Sequence, residues 1–252
     1  MFYQEYPMQA EGSLPGSKLT VYIQEYSKDM AYNERPMVLI CPGGGYTRTS
    51  DREAESMALQ FMAMGCHAAV LRYSCAPAVY PTALQEVAWS MKFIREHVQE
   101  WHIDPQKILI QGCSAGGHLA ASLGMFWNDP ALAKEVGAKD NEALRPNGMI
   151  LCYPVITSGE YAHRGSFDHL LAGKEELMSK LSLETAVSKD TPPTFLWHTF
   201  TDGSVPVENS LLLVSALRKA GIPTEFHMYP KGGHGLALAN RLTATADGSH
   251  IQ

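Results

Sequence analysis

The chain has 252 residues, enough to bury one full core, and its 45% hydrophobic and 18% charged content fits a globular enzyme better than a disordered or fibrous chain. Twenty basic residues against 26 acidic ones give a net charge of −6, with lysines and arginines scattered singly; no stripe forms that could neutralise phosphates, which argues against nucleic acid as a partner. No run reaches the ~20 apolar residues needed to cross a bilayer, and Pro7 with its acidic neighbours interrupts any leader-like stretch, so a cytoplasmic protein without membrane contact is expected.

In chain order, the alternating run 19–25 predicts an antiparallel edge strand near the N-terminus. Aliphatic runs at 37–41, 67–73, 107–111, 148–153, 194–199 and 224–229 predict further strands, several apolar throughout, as a parallel sheet covered on both faces requires. Between them, three- and four-residue spacings predict helices over 53–64, 82–101, 117–126 and 207–220; in the second, Leu84, Val87, Ala88, Met91, Ile94 and Val98 form the stripe. Strand and helix alternate, so the expectation is one α/β domain over 1–252 with a mostly parallel, doubly wound sheet. Residues 156–193 break the alternation. This stretch is too long for a plain connection, and its one predicted helix falls around 183–187 behind Ser182. It reads as a cap-like insertion over a pocket, the alternative being a surface excursion.

The chemistry is concentrated at strand ends. Gly112-Cys113-Ser114-Ala115-Gly116-Gly117 sits between a predicted strand and a predicted helix, the setting of a nucleophile elbow. A serine on so sharp a turn presses the residues two places away against neighbouring backbone, which calls for glycine at 112 and 116. Cys113 precedes the apex and should point into the sheet. Pro42-Gly43-Gly44-Gly45-Tyr46 follows the strand 37–41, where a glycine loop can offer amide donors to an oxyanion; Gly44, Gly45 and Ala115 are the expected donors, although an ordinary glycine turn would look the same.

Of ten histidines, His234 alone lies between glycines in a loop beyond the last strand, which makes it the expected general base. His67, His198 and His227 fall in strands, and His97, His102 and His118 in helices or at their ends, so structural roles are expected for them. His163 and His169, in the 156–193 segment, and Tyr46, in the glycine loop, are expected near substrate. Asp202 follows a strand by a short turn, at the sheet edge where sites of open α/β sheets form, and is the expected orienting acid; Asp168 is the alternative, and a plain Asp-Gly turn the bland reading. Five cysteines without a CxxC spacing read as free thiols. No metal and no cofactor is expected.

With these residues in place, the chain resembles bacterial α/β-hydrolase esterases grouped with acetyl-xylan esterases, some of which carry xylanase labels. The resemblance rests on Pro42-Gly43-Gly44-Gly45-Tyr46, Arg52-Glu53-Ala54-Glu55, Tyr80-Pro81-Thr82-Ala83-Leu84, Asp104-Pro105 with the elbow, Thr191-Pro192-Pro193-Thr194, Asp202 with Val205-Pro206-Val207, and Gly233-His234-Gly235. It implies the α/β-hydrolase fold, a Ser114–His234–Asp202 triad, and short acyl esters as substrates, acetyl groups on carbohydrates such as xylo-oligosaccharides above all. Members of that family continue into a Trp-containing terminal helix, whereas residues 243–252 here are polar. A serine peptidase-like hydrolase and a non-catalytic binding module on the same fold are the alternatives.

Overall fold

A computed structural model describes residues 1–250. Eight strands form one sheet: β1 (Phe2–Pro7), β2 (Lys18–Ile23), β3 (Arg35–Cys41), β4 (His67–Arg72), β5 (Ile103–Cys113), β6 (Gly148–Cys152), β7 (Thr194–Thr199) and β8 (Thr224–Tyr229). Their spatial order is β1-β2-β4-β3-β5-β6-β7-β8. The pairs from β4 to β8 are parallel, while β2 runs antiparallel to both β1 and β4. This is the mostly parallel α/β sheet with an antiparallel N-terminal margin that the sequence predicts. The edge itself differs: β2 is internal, and β1 forms the margin. Its mostly exposed FYQEYP sequence has neither an apolar run nor a buried face to announce a strand.

Two-residue periodicity divides the sheet's side chains between two faces. Met37, Leu39, Ile108, Ile110, Leu151 and Leu196 join the larger core, packed with helices α2 (Thr82–Glu96), α3 (Ala115–Phe126) and α6 (Glu208–Lys219). The alternate residues Val38, Ile40, Ala68 and Val70 face α1 (Glu55–Ala63) through Met57 and Ala58. Beyond α1 this second face, from β5 to β8, borders an open groove of about 1150 Å³ lined by Leu109, Ile150, Phe195 and Trp197 among others. It touches none of Ser114, Asp202 and His234. After the histidine loop, the described residues hold a short 3-10 turn, Arg241–Thr243.

Helix α2 stops at Glu96, five residues before the predicted end, with His97 as its C-cap; the chain then continues in turns and passes through His102 at φ 52 to enter β5. Helix α1 starts at Glu55, since Asp51–Glu53 forms a separate 3-10 turn. A short helix, α4 (Pro130–Glu135), starts behind Asp129, whose carboxylate accepts from Ala131 N–H. The 156–193 segment is corrected as well. Its helix is α5 (Arg164–Leu171), and Leu183–Thr185 is only a 3-10 turn for which Ser182 makes no side-chain cap bond. Gly165 and a histidine cap hid α5 from periodicity: the ring of His163 accepts from Ser166 N–H where Ser, Thr, Asp or Asn would be the usual signal. Phe167, Leu170, Leu171, Leu181 and Leu183 join the main core, so the segment is packed down instead of projecting. No helix among the described residues is long and apolar enough to cross a membrane.

Candidate active site

The turn from β5 into α3 places Ser114 at φ 54, ψ −121, a left-handed conformation that L-residues adopt only under constraint. Three backbone hydrogen bonds supply it: Ser114 N–H donates to Cys152 O (3.0 Å), and Ser114 O accepts from Val155 N–H (3.0 Å) and His118 N–H (3.1 Å). Both predicted glycines are sterically required. A Cβ at 112 would come within 2.2 Å of Gly116 O, and one at 116 within 2.1 Å of Cys41 O.

Ser114 Oγ lies 2.7 Å from His234 Nε2, and His234 Nδ1 lies 2.7 Å from Asp202 Oδ2. Since a carboxylate only accepts, Nδ1 carries the ring proton and Nε2 offers its lone pair to the serine hydroxyl. The Asp202 side chain is fully buried and that of His234 is 21% exposed. Burial by itself pushes the Asp202 carboxyl up, yet hydrogen bonds from His198 and His234 and from the Val205 amide outweigh it and hold the group well below the usual carboxylate range. Its other oxygen, Oδ1, accepts from Ser204 N–H and Val205 N–H, both at 2.9 Å. Asp202 thus stays ionised while His234 gains or loses a proton.

The glycine loop lies against this relay. Gly44 has φ +133, and a Cβ there would strike Arg48 O at 2.1 Å; Gly45 has φ +63 and faces Ser166 of α5. Gly43 N–H is taken up by Glu53 Oε2 at 2.8 Å. Among the described residues, no hydrogen bond occupies the amides of Gly44, Gly45 or Ala115. The Ala115 amide also stands at the N-terminus of the twelve-residue α3, where the helix dipole favours negative charge.

Helix α5 sits directly on the loop, with His169 Nδ1 3.1 Å from Gly45 O. His163 lies near enough to the relay for His234 to influence its titration; burial first, then His234, lowers its pKa. Tyr46 occupies a different place from the one expected. Its ring is buried, and its hydroxyl donates to His118 Nδ1 at 2.9 Å, so that oxygen is not presented to a substrate. Cys113 points into the protein, as expected from its place before the apex, and burial pushes its thiol pKa well up. The described residues contain no group of three or more His, Cys, Asp or Glu able to hold a metal ion, and their five cysteines are free.

Sequence reasoning missed two residues here. His198, assigned a structural place in a strand, has Nε2 3.3 Å from Asp202 Oδ2. Glu53, buried at 4% exposure, accepts from Gly43 N–H and, through Oε1, from the Tyr153 hydroxyl at 2.8 Å. The only sequence signal for Glu53 was its place in Arg52-Glu53-Ala54-Glu55.

Comparison with known proteins gives this geometry a context. The BD-FAE family model matches residues 23–217. A protein named endo-1,4-beta-xylanase B from Butyrivibrio fibrisolvens is 37% identical over 82% of the chain, and one named acetylxylan esterase from Xylanibacter ruminicola is 30% identical over 78%. The chain spans 33% and 40% of the lengths of these two relatives, respectively. The crystal structure of an acetyl ester-xyloside bifunctional hydrolase from Caldicellulosiruptor lactoaceticus superposes with a TM-score of 0.79 at 40% identity, over 88% of this chain and 80% of that one.

Proposed function

This chain belongs to the BD-FAE family, which has the α/β-hydrolase fold, and on that premise we propose that it is a serine esterase acting on short-chain acyl esters through Ser114, His234 and Asp202. The observation that carries the reading is the continuous relay, 2.7 Å from Ser114 Oγ to His234 Nε2 and 2.7 Å from His234 Nδ1 to Asp202 Oδ2. The mechanism follows from it. His234 takes the Ser114 proton as Oγ attacks the ester carbonyl, and the developing oxyanion is received by the amides of Gly44, Gly45 and Ala115, each such donor being worth ~2.7–4 kcal/mol in the transition state. Collapse of the tetrahedral adduct releases the alcohol, protonated by His234, and leaves an acyl group on Ser114. A water molecule, deprotonated by the same imidazole, then frees the acid. Asp202 holds the productive tautomer and stabilises the imidazolium without taking its proton.

The substrate proposed is an O-acetyl group on a carbohydrate such as a xylo-oligosaccharide. What supports it is the names of relatives, an acetylxylan esterase and an acetyl ester-xyloside bifunctional hydrolase. Hydrolysis rates on nitrophenyl acetate and octanoate, followed by acetate release from acetylated xylo-, manno- and amino-sugar oligomers, test it. Preference for acetate and release from xylo-oligomers are expected; a strong preference for octanoate contradicts the short-acyl reading.

A further inference from the structure

We infer that Glu53 is a positioning residue for the acyl-transfer site, its one buried carboxylate fixing the glycine loop on one side of Ser114 and the histidine loop on the other; this rests on the serine esterase reading above. Removing a carboxylate from water is costly unless its oxygens are hydrogen-bonded. Both are. Oε2 accepts from Gly43 N–H at 2.8 Å, and Oε1 accepts from the Tyr153 hydroxyl at 2.8 Å. The Tyr153 oxygen in turn accepts from Ala237 N–H at 2.9 Å, three residues beyond His234. An apolar side chain would fill this place at a lower cost of burial, so what the carboxylate adds is the fixing of two donors from distant parts of the chain.

Each end of this bridge touches the reacting groups. Gly43 is held from both sides, its N–H by Glu53 and its carbonyl by Ser50 N–H at 2.8 Å, and it packs so closely on Ser114 that an added Cβ would lie 2.9 Å from the serine Cβ. Because Gly43 N–H is spent on Glu53, the following amides of Gly44 and Gly45 are the ones left for an oxyanion. At the other end the Tyr153 ring meets His234 edge to face, with centroids 5.3 Å apart at 74°. A Cβ on Gly235 would lie 3.9 Å from Glu53 Oε1, so the carboxylate also borders the histidine loop directly. Loss of the bridge would let both loops drift relative to Ser114, and a displacement near 1 Å is enough to cost about 10²-fold in rate.

The test measures kcat and KM on nitrophenyl acetate per active site, counted by titration with a fluorophosphonate, in wild type and in Glu53→Ala, Glu53→Gln, Tyr153→Phe and Glu53→Ala/Tyr153→Phe. Glu53→Ala is expected to lower kcat by about 10²-fold with KM within about threefold, and Tyr153→Phe by about tenfold, because the Gly43 bond survives. Glu53→Gln, which keeps an acceptor for one donor, should recover part of the loss. The double variant should be no slower than about the Glu53→Ala single, as for residues acting in one chain of contacts. A merely structural role would lower the fraction of titratable sites and leave kcat per site unchanged, and that result overturns the proposal. If Glu53→Ala does not fold, Glu53→Gln and Tyr153→Phe decide by the same criterion. Failure of the reagent to label wild-type Ser114 would instead remove the esterase reading itself.

Discussion

His198 Nε2 lies 3.3 Å from Asp202 Oδ2, the same oxygen that receives His234 Nδ1–H at 2.7 Å. His198 is wholly buried, with Nε2 also 3.0 Å from Val205 O and Nδ1 2.8 Å from Ser210 Oγ. Two acceptors at Nε2 place a proton there, so the ring donates toward Asp202, while Nδ1 shares a hydrogen bond with the Ser210 hydroxyl. Replacing it by Leu removes one charge-assisted hydrogen bond, worth about 1.5 kcal/mol or more. The expected result is a fall in kcat of about tenfold with KM little changed, read from steady-state kinetics; an unchanged kcat would show that Asp202 needs no second support.

Asp202→Asn keeps the shape of the site but takes away the carboxylate that selects the Nδ1–H tautomer. The rate should fall by about 10³–10⁴-fold, nearly all of it in kcat, as the serine loses its proton acceptor. A loss concentrated in KM would mean that Asp202 serves binding instead.

The glycines separate steric need from mere tolerance. Alanine at 116 or 44 would put a methyl group 2.1 Å from a backbone oxygen, of Cys41 and Arg48 respectively, and neither oxygen can move without distorting the elbow or the loop. Gly116→Ala and Gly44→Ala should therefore be strongly destabilised and inactive. At Gly45 the nearest atom is Ser166 Oγ at 4.0 Å, so alanine meets only the cost of φ +63, about 1 kcal/mol, and keeps its amide. Thermal denaturation with activity per folded enzyme checks the contrast, and equal effects at 44 and 45 would contradict it.

These glycines also explain how much of the site was readable in advance. Gly112, Gly116 and the 43–45 run are dictated by local backbone crowding, which leaves a mark in the residue type, and Ser114, Asp202 and His234 each stand alone at a strand end in chain order. Glu53 leaves no such mark, because its partners lie 10 and 100 residues away and its neighbours read as the start of a helix. Tyr46 was placed near substrate by its position in the loop, yet its hydroxyl turns inward to His118, a pairing across 72 residues that no local pattern encodes. The strands of the parallel sheet were legible as apolar runs, whereas β1, with exposed side chains, and α5, with a glycine inside and a histidine cap, lacked the usual signals.

His118 gives the fold an acid sensitivity. Burial, opposed only in part by its bond to Leu181 O, lowers its pKa from 6.5 to about 4. A histidine depressed on folding binds its proton more readily in the unfolded chain, so stability is full above about pH 6.5 and is lost as pH falls toward 4. The loss amounts to about 2 kcal/mol by pH 5. Asp202 acts lower: with its folded pKa depressed, its contribution is present above about pH 4 and disappears only as pH falls further. Urea unfolding between pH 7 and 5 should show the decline, and His118→Gln, which keeps one acceptor and one donor, should make it shallower without abolishing it, because burial lowers the His67 pKa to about 4 as well. An equal slope in both proteins would contradict the assignment.

We propose Ser114 as a nucleophile made reactive by His234. Incubation with a fluorophosphonate followed by peptide mass spectrometry tests it most directly. A single phosphonyl adduct is expected on the peptide containing Ser114, formed orders of magnitude more slowly in His234→Ala and absent in Ser114→Ala. No adduct on the wild-type protein, or an adduct on another residue that persists in Ser114→Ala, would contradict it.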